Sequence, residues 1–251
     1  MKYILVTALG AAEMEYVAHL RNKNIDVRVQ PSAHTVIFEN IYGENRDERT
    51  QNVLQIADAF TMEQLLDVEA KAFHPGPLLA GDFTTDFIKT LSAKGILSLD
   101  VQGYLRKVVN QKVFLTDWPD KLNALQYIDI VKADVAELAA LSRYNTVEEG
   151  VKFLADLGVK EAVITNGSRG SVIYSAGVFY DIPAYLPKLV VDATGCGDTY
   201  MAGYLYQRIK KGAGIQQAGE FAAAMAGLKT TSPGPFVGTE DEVNRFLIQR
   251  V

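Results

Sequence analysis

The chain has 251 residues, 48% of them apolar and 22% charged, with 30 acidic against 25 basic side chains and a net charge of -5. This composition fits a globular fold with one large core or two modest ones and excludes fibrous and disordered classes; well-mixed charges without a basic run argue against nucleic acid or an anionic membrane as main partner. A single cysteine, Cys196, cannot close an internal disulfide, and three scattered histidines (His19, His34, His74) give no zinc spacing, so a reducing cytoplasm and a small-molecule partner are expected.

The opening "MKYILVTALGAA" reads as a buried first strand rather than a signal peptide, because a polar helix follows at once. A strand and helix over 3–22 precede β-rich stretches, "IDVRVQ" and "HTVIFEN", whose alternation fits a sheet with one wet face. The spacing predicts a small β lid within about 23–55. From residue 73 onward strands and helices alternate through short connections, which is the pattern of an α/β fold. "TTDFIKTLSAKG" (84–95) is a helix with a threonine cap and a glycine stop, leading to the strand "ILSLD" (96–100). "YIDIV" (127–131) is the next strand and runs into the helix "DVAELAALS". "NTVEEGVKFLADLG" (145–158) carries a capping box, Thr146 with Glu149, and leads to "EAVIT". "GSVIY" and "GVFYD" sit at hairpin spacing, "LVVD" reads as a strand ending at Asp192, and two helices follow, "YMAGYLYQRIKKG" and "IQQAGEFAAAMAGLKT".

The segment "VVDATGCGDTYMAGYLY" carries the chemistry. Small residues turn the chain after Asp192 and a helix begins near Cys196, so free backbone N–H groups at 195–198 point outward as an anion site. Glycines let a phosphate approach the backbone. Asp198 places a carboxylate beside this anion nest, which suits phosphoryl transfer: the amides stabilise the transferring group while the carboxylate takes the proton of an attacking hydroxyl. The alternative is that Asp198 merely occupies a first helical turn, where acids are favoured by up to about 1 kcal/mol. "GAGIQQA" (212–218) imitates a dinucleotide fingerprint but follows a helix instead of a strand, which rules it out.

On these residues the chain resembles the ribokinase-like (PfkB) carbohydrate kinases, whose signature is Asp-Thr-x-Gly-Ala-Gly-Asp before a helix rich in small residues; "DATGCGDTYMAG" matches with Ala193 and Cys196 as small variants. The resemblance implies a three-layer α/β/α fold with a mostly parallel sheet, Asp198 as base, and Gly195, Cys196 and Gly197 as the anion hole. "KADVAEL" resembles the family's Asn-x-x-Glu segment, with Asp134 in the asparagine's place and Glu137 helping to organise Mg2+. "VITNGSRGSVIY" resembles its nucleotide-binding stretch and puts Thr165, Gly167 and Gly170 near ATP. "SLDVQGYLR" resembles the strand end lining the acceptor cleft, which makes Asp100, Gln102 and Arg106 candidates there; the lid residues Thr35, Asn40 and Arg46 are added to them. The Asp-Val-Gln form of that segment is similar to the inositol kinase branch.

The family usually opens with a strand carrying an acceptor-binding aspartate and a Gly-Gly hinge. Neither is found, so roughly the first 40 to 50 residues of a usual member are expected to be missing, with acceptor recognition affected first and a homodimer through the lid favoured by the exposed edge. Taken together, the expectation is an ATP- and Mg2+-dependent kinase acting on a sugar or cyclic polyol hydroxyl. A nucleoside kinase on the same scaffold and a nucleotide-binding paralogue without turnover are the alternatives.

Overall fold

The computed structural model of the protein describes residues 2–42 and 49–248. In chain order, β1 (Ile4–Leu9), α1 (Met14–Asn22) and β2 (Asp26–Pro31) come first, then β3 (Ile37–Tyr42), β4 (Arg49–Gln55) and the short β5 (Ala72–Phe73). Next are α2 (Thr85–Ser92), β6 (Ile96–Asp100), β7 (Arg106–Val109), β8 (Lys112–Leu115), α3 (Lys121–Ala124) and β9 (Ile130–Asp134). They are followed by α4 (Val135–Ser142), α5 (Val147–Asp156), β10 (Glu161–Thr165), β11 (Ser171–Ser175), β12 (Val178–Ile182), α6 (Cys196–Leu205), α7 (Ile215–Lys229) and α8 (Glu240–Ile248). None of the described helices is long and apolar enough to cross a membrane.

The main sheet has six strands in the order β12-β11-β10-β9-β6-β5. β5, β6, β9 and β10 run parallel, and β11 and β12 extend the sheet antiparallel. Its central strands are mostly apolar on both faces because helices cover both. Leu97, Leu99, Val131, Ala133, Ala162 and Ile164 share one buried cluster with Ile88 of α2, Leu138 of α4 and Leu154 of α5. Ile130, Val163 and Ile173 belong to a second cluster with Tyr204 of α6, Ala222 of α7 and Val243 of α8. Each fully buried aliphatic side chain stabilises the fold by about 1.5–3 kcal/mol, so the alternation along β9 and β10 is enough to hold a helix layer on either side. The fold is therefore the three-layer α/β/α arrangement, with the carboxyl ends of the parallel strands at one edge. Caps set the helix starts: Thr84 accepts from Phe87 N and Thr146 from Glu149 N.

Several sequence expectations are corrected. "IDVRVQ" is not part of the lid: as β2 it pairs in parallel with β1, which buries Val27 and Gln30. The lid sheet, in the order β3-β4-β8-β7, instead recruits the hairpin at 106–115. Asn110 and Gln111, with φ of 49° and 66°, form its two-residue turn, as a type I′ connection requires. "YIDIV" is shifted, since β9 begins only at Ile130. "LVVD" forms no strand: Val191 N and Asp192 N both donate to Thr230 O, which ties the segment to the loop after α7. The helix at 200–212 ends in a π-helical turn, Tyr206–Lys211.

Candidate active site

The turn before α6 is built around Gly195, whose φ of +76° is left-handed and reverses the chain without strain. Thr199 N closes onto Gly195 O at 2.9 Å, and Cys196 N donates to Ala193 O at 3.2 Å. Cys196 is thereby removed from the expected anion hole, its N–H being used within the turn. The N–H groups of Gly195, Gly197 and Asp198 meet no protein acceptor among the described residues and mark the helix's positive end. Asp198 is solvent-exposed on the first turn of α6. The Cys196 thiol is pushed up by burial, which fits a spacer and not a reactive thiolate.

Behind the turn, Asp192 Oδ1 accepts from Thr194 N at 2.9 Å, and the deeply buried Lys229 Nζ reaches Asp192 O at 3.0 Å and Oδ2 at 3.1 Å. The Thr194 backbone and side chain, and then Lys229, hold the Asp192 carboxyl down at about 2. The turn is thus pinned to α7 by a charge-assisted contact.

Facing it from the sheet is Lys132, which the sequence reading did not single out. It lies on β9 on the same face as Ile130, the face that α6 covers. Its ammonium is 2.9 Å from Asp100 Oδ2 and 3.8 Å from Glu137 Oε2, all three side chains being under 10% exposed. A Cβ at Gly197 would stand 3.2 Å from Lys132 Nζ, so glycine allows this cation to reach the turn. Burial alone would lower the Lys132 pKa, but Asp100, Glu137 and Asp134 together hold it above the usual lysine value. Burial pushes the Glu137 carboxyl up, against the pull of Lys132. A lysine inside the otherwise apolar run "IVKA" was the available signal, since a charge in a two-sided strand needs a partner.

Asp134 and Glu137 form a capping box: Glu137 N donates to Asp134 Oδ1 and Asp134 N to Glu137 Oε2, both at 2.7 Å. One Glu137 oxygen is thus held by backbone and faces an ammonium, and no cluster of three potential ligands occurs among the described residues. The pair suits a water-bridged Mg2+ and not a directly bound one.

The acceptor candidates divide. Asp100 is buried and satisfied by Lys132 and by Gln102 N at 2.9 Å, so it orients the cation instead of facing a ligand freely. Gln102 opens the 3-10 turn after β6. Arg106, also buried, donates to Leu78 O at 3.0 Å and Gln51 Oε1 at 3.1 Å and lies over the Phe38 ring. Gln51 in turn donates to Asn40 Oδ1 at 2.8 Å, so one side chain joins Asn40 and Arg106 across the lid sheet, and Arg106 ties that sheet to Leu78 of the body. A cavity of about 290 Å³ adjoins this junction, lined by Ile56, Leu79, Asp82, Arg106 and Val108 among others. Thr35 is tied to Gly10 N and Glu13, and Arg46 lies outside the described residues. Of the nucleotide candidates, Gly170 has a packing reason of its own: at φ +92°, a Cβ there would sit 2.3 Å from Ile182 O. Thr165 Oγ1 makes a long 3.5 Å contact to Ala133 O, and space is open at Gly167.

A doubly wound α/β protein with an anion-shaped helix terminus, a buried ammonium and an exposed carboxylate at the strand ends is what these features define. The chain belongs to the pfkB family of carbohydrate kinases, which it matches over residues 4–241. Among solved structures it is similar to a pyrophosphate-dependent kinase in the ribokinase family in its sulfate complex, with 31% identity and a TM-score of 0.88 over 97% of this chain and 86% of the other. A pyrophosphate-dependent kinase of the same family complexed with a pyrophosphate analog and myo-inositol gives 30% identity and a TM-score of 0.86 over 98% and 86% of the two chains. A nucleoside kinase of Methanocaldococcus jannaschii is 37% identical over 76 residues, 30% of this chain; the matched part spans 25% of that relative's length.

Proposed function

We propose that this chain transfers a phosphoryl group to a hydroxyl of a cyclic polyol of the myo-inositol kind, with inorganic pyrophosphate as donor. The observation that carries the reading is the meeting of Asp198, the unused amides of Gly195, Gly197 and Asp198, and the Lys132 ammonium at one end of the sheet. The amides and Lys132 offset charge on the transferring group. Asp198 accepts the proton as the acceptor oxygen bonds to phosphorus and the bond to the leaving orthophosphate breaks. Mg2+, held through water by Asp134 and Glu137, would offset the remaining negative charge on the donor. The two pyrophosphate-dependent neighbours near 30% identity support both donor and acceptor. ATP is the second reading for the donor, favoured by the open backbone at Gly167.

The test pairs pyrophosphate and ATP with myo-inositol, D-ribose and cytidine, and follows product by phosphorus NMR. Myo-inositol phosphate is expected, and Asp198→Asn is expected to lower turnover by roughly a hundredfold or more while leaving the melting temperature nearly unchanged. An Asn variant at near-parental turnover would refute the base assignment.

A further inference from the structure

The polar row on the α6 face of the sheet does not stop at Asp100. Ser98 lies two residues earlier on β6, on the same face and fully buried. One strand over, His74 follows β5 directly, one position beyond the Phe73–Leu97 pair, and its Nδ1 is 3.0 Å from Ser98 Oγ. His74 is exposed at the strand end, although the protein around the ring still withdraws part of its water. Its charged surroundings are Asp100 of β6 and Asp198 of α6, which favour imidazolium, and Lys132 of β9, which opposes it. Loss of hydration outweighs the two carboxylates and holds the ring below the usual histidine value, which favours the neutral form.

The backbone that carries His74 is stiff. Pro75 and Pro77, both buried, bracket Gly76, and Asp100 N donates to Pro75 O at 3.2 Å. A Cβ at Gly103 would stand 2.3 Å from Pro77 O, so the 3-10 turn after β6 clamps the segment from the other side. Ser98 therefore fixes the Nδ1 edge of a ring on a rigid strand end, and Nε2 makes no hydrogen bond among the described residues. A ring nitrogen held in place at the same end of the sheet as Asp198, exposed and unused by the protein among the described residues, is available to a polar group of a ligand.

We infer that His74 is a specificity-determining residue: its Nε2 holds an acceptor hydroxyl adjacent to the one delivered to Asp198, and Ser98 positions the ring. The inference rests on the proposed polyol kinase reading. It assigns acceptor choice to β5 and β6 of the body as well as to the lid. A ring nitrogen contacts one hydroxyl at a fixed distance from the reacting one, so acceptors whose neighbouring hydroxyl points elsewhere lose that bond.

The full chain contains three histidines, so the ring signals of a 15N-labelled sample are assigned by single substitution. Saturating myo-inositol is expected to shift the His74 Nε2 signal and leave His19 unmoved. His74→Asn keeps a polar atom near Ser98 but lacks Nε2; it is expected to raise the acceptor KM tenfold or more, with kcat and the pyrophosphate KM within about threefold, and to narrow the preference for myo-inositol over D-ribose. His74→Phe, which keeps the ring's size, is expected to do the same. If the parent phosphorylates myo-inositol while its His74 signals stay fixed, or if both variants keep the parental acceptor KM, the assignment to His74 is wrong and the kinase reading stands. If the parent phosphorylates no acceptor with either donor, the kinase reading fails and takes this inference with it. Should a variant fail to fold, the ligand shift in the parent decides.

Discussion

Lys132→Met removes the cation on which the polar cluster is organised. In the parent, the ammonium sits 2.9 Å from Asp100 and 3.8 Å from Glu137, with all three side chains almost out of water. At an effective dielectric constant of about 20, these separations correspond to attractions of roughly 6 and 4 kcal/mol, most of which offsets the desolvation of three ions. Deleting one partner leaves the penalty without the attraction, and buried pairs broken this way typically cost about 3–5 kcal/mol. For a chain of this length that corresponds to a fall in melting temperature of roughly 6–20 °C. The sign with pH follows from Glu137. Its folded pKa is already raised by burial and rises further without Lys132. The folded variant then binds more protons than the unfolded chain, so its deficit shrinks as pH falls and is greater at about pH 8 than at about pH 5.5. Adding Asp100→Asn should recover much of the stability and none of the turnover, because the charge beside Gly197 stays absent. Calorimetric melts at the two pH values, with turnover measured on the same samples, test this. A deficit below about 1 kcal/mol, or one that does not change with pH, would refute the account of Lys132 as the cluster's counter-ion.

Two further outcomes are expected. Asp192, held at about 2 by Thr194 and Lys229, contributes stability that is present above the ordinary aspartate value and is lost as pH falls through about 4 toward 2; Asp192→Asn should flatten the acid-unfolding curve over that interval, measured by circular dichroism. Arg106→Ala breaks the bonds to Leu78 O and Gln51 and removes the cation over Phe38; hydrogen exchange in β4 should rise by tenfold or more while exchange in β10 stays parental, and equal rises in both would refute a role confined to the lid.

What the sequence made legible was whatever is encoded locally. β10 and the helices after Thr84 and Thr146 follow from short-range caps and apolar runs, and the Gly195–Asp198 turn is one contiguous motif. The Asp134 and Glu137 pair stood out through its resemblance to the family's Asn-x-x-Glu segment, although its spacing is also that of a capping box, which the structure forms. Lys132, Ser98 and His74 were missed because the His74–Ser98 and Lys132–Asp100 contacts join positions 24 and 32 apart, on strands whose pairing no local pattern fixes. The lid was misplaced for a related reason. Its second hairpin turns on Asn110-Gln111, which lacks the glycine that usually announces such a turn, and the alternation of β2 serves a parallel partner as well as it would a lid.

The order of elements along the chain has a consequence for how such a protein can diverge. Everything that touches the lid junction or the His74 strand end (Asn40, Gln51, His74, Ser98, Arg106) comes before residue 116, whereas Lys132, Glu137, the Gly195–Asp198 turn and Lys229 come after residue 130. Among the described residues the ion pair that crosses this boundary is Asp100–Lys132, where β6 meets β9. Drift in the first half can therefore alter what is recognised while the second half keeps its charges and its turn, and Asp100, whose carboxylate meets Lys132 across that boundary, is where a change in one inheritance would be felt by the other.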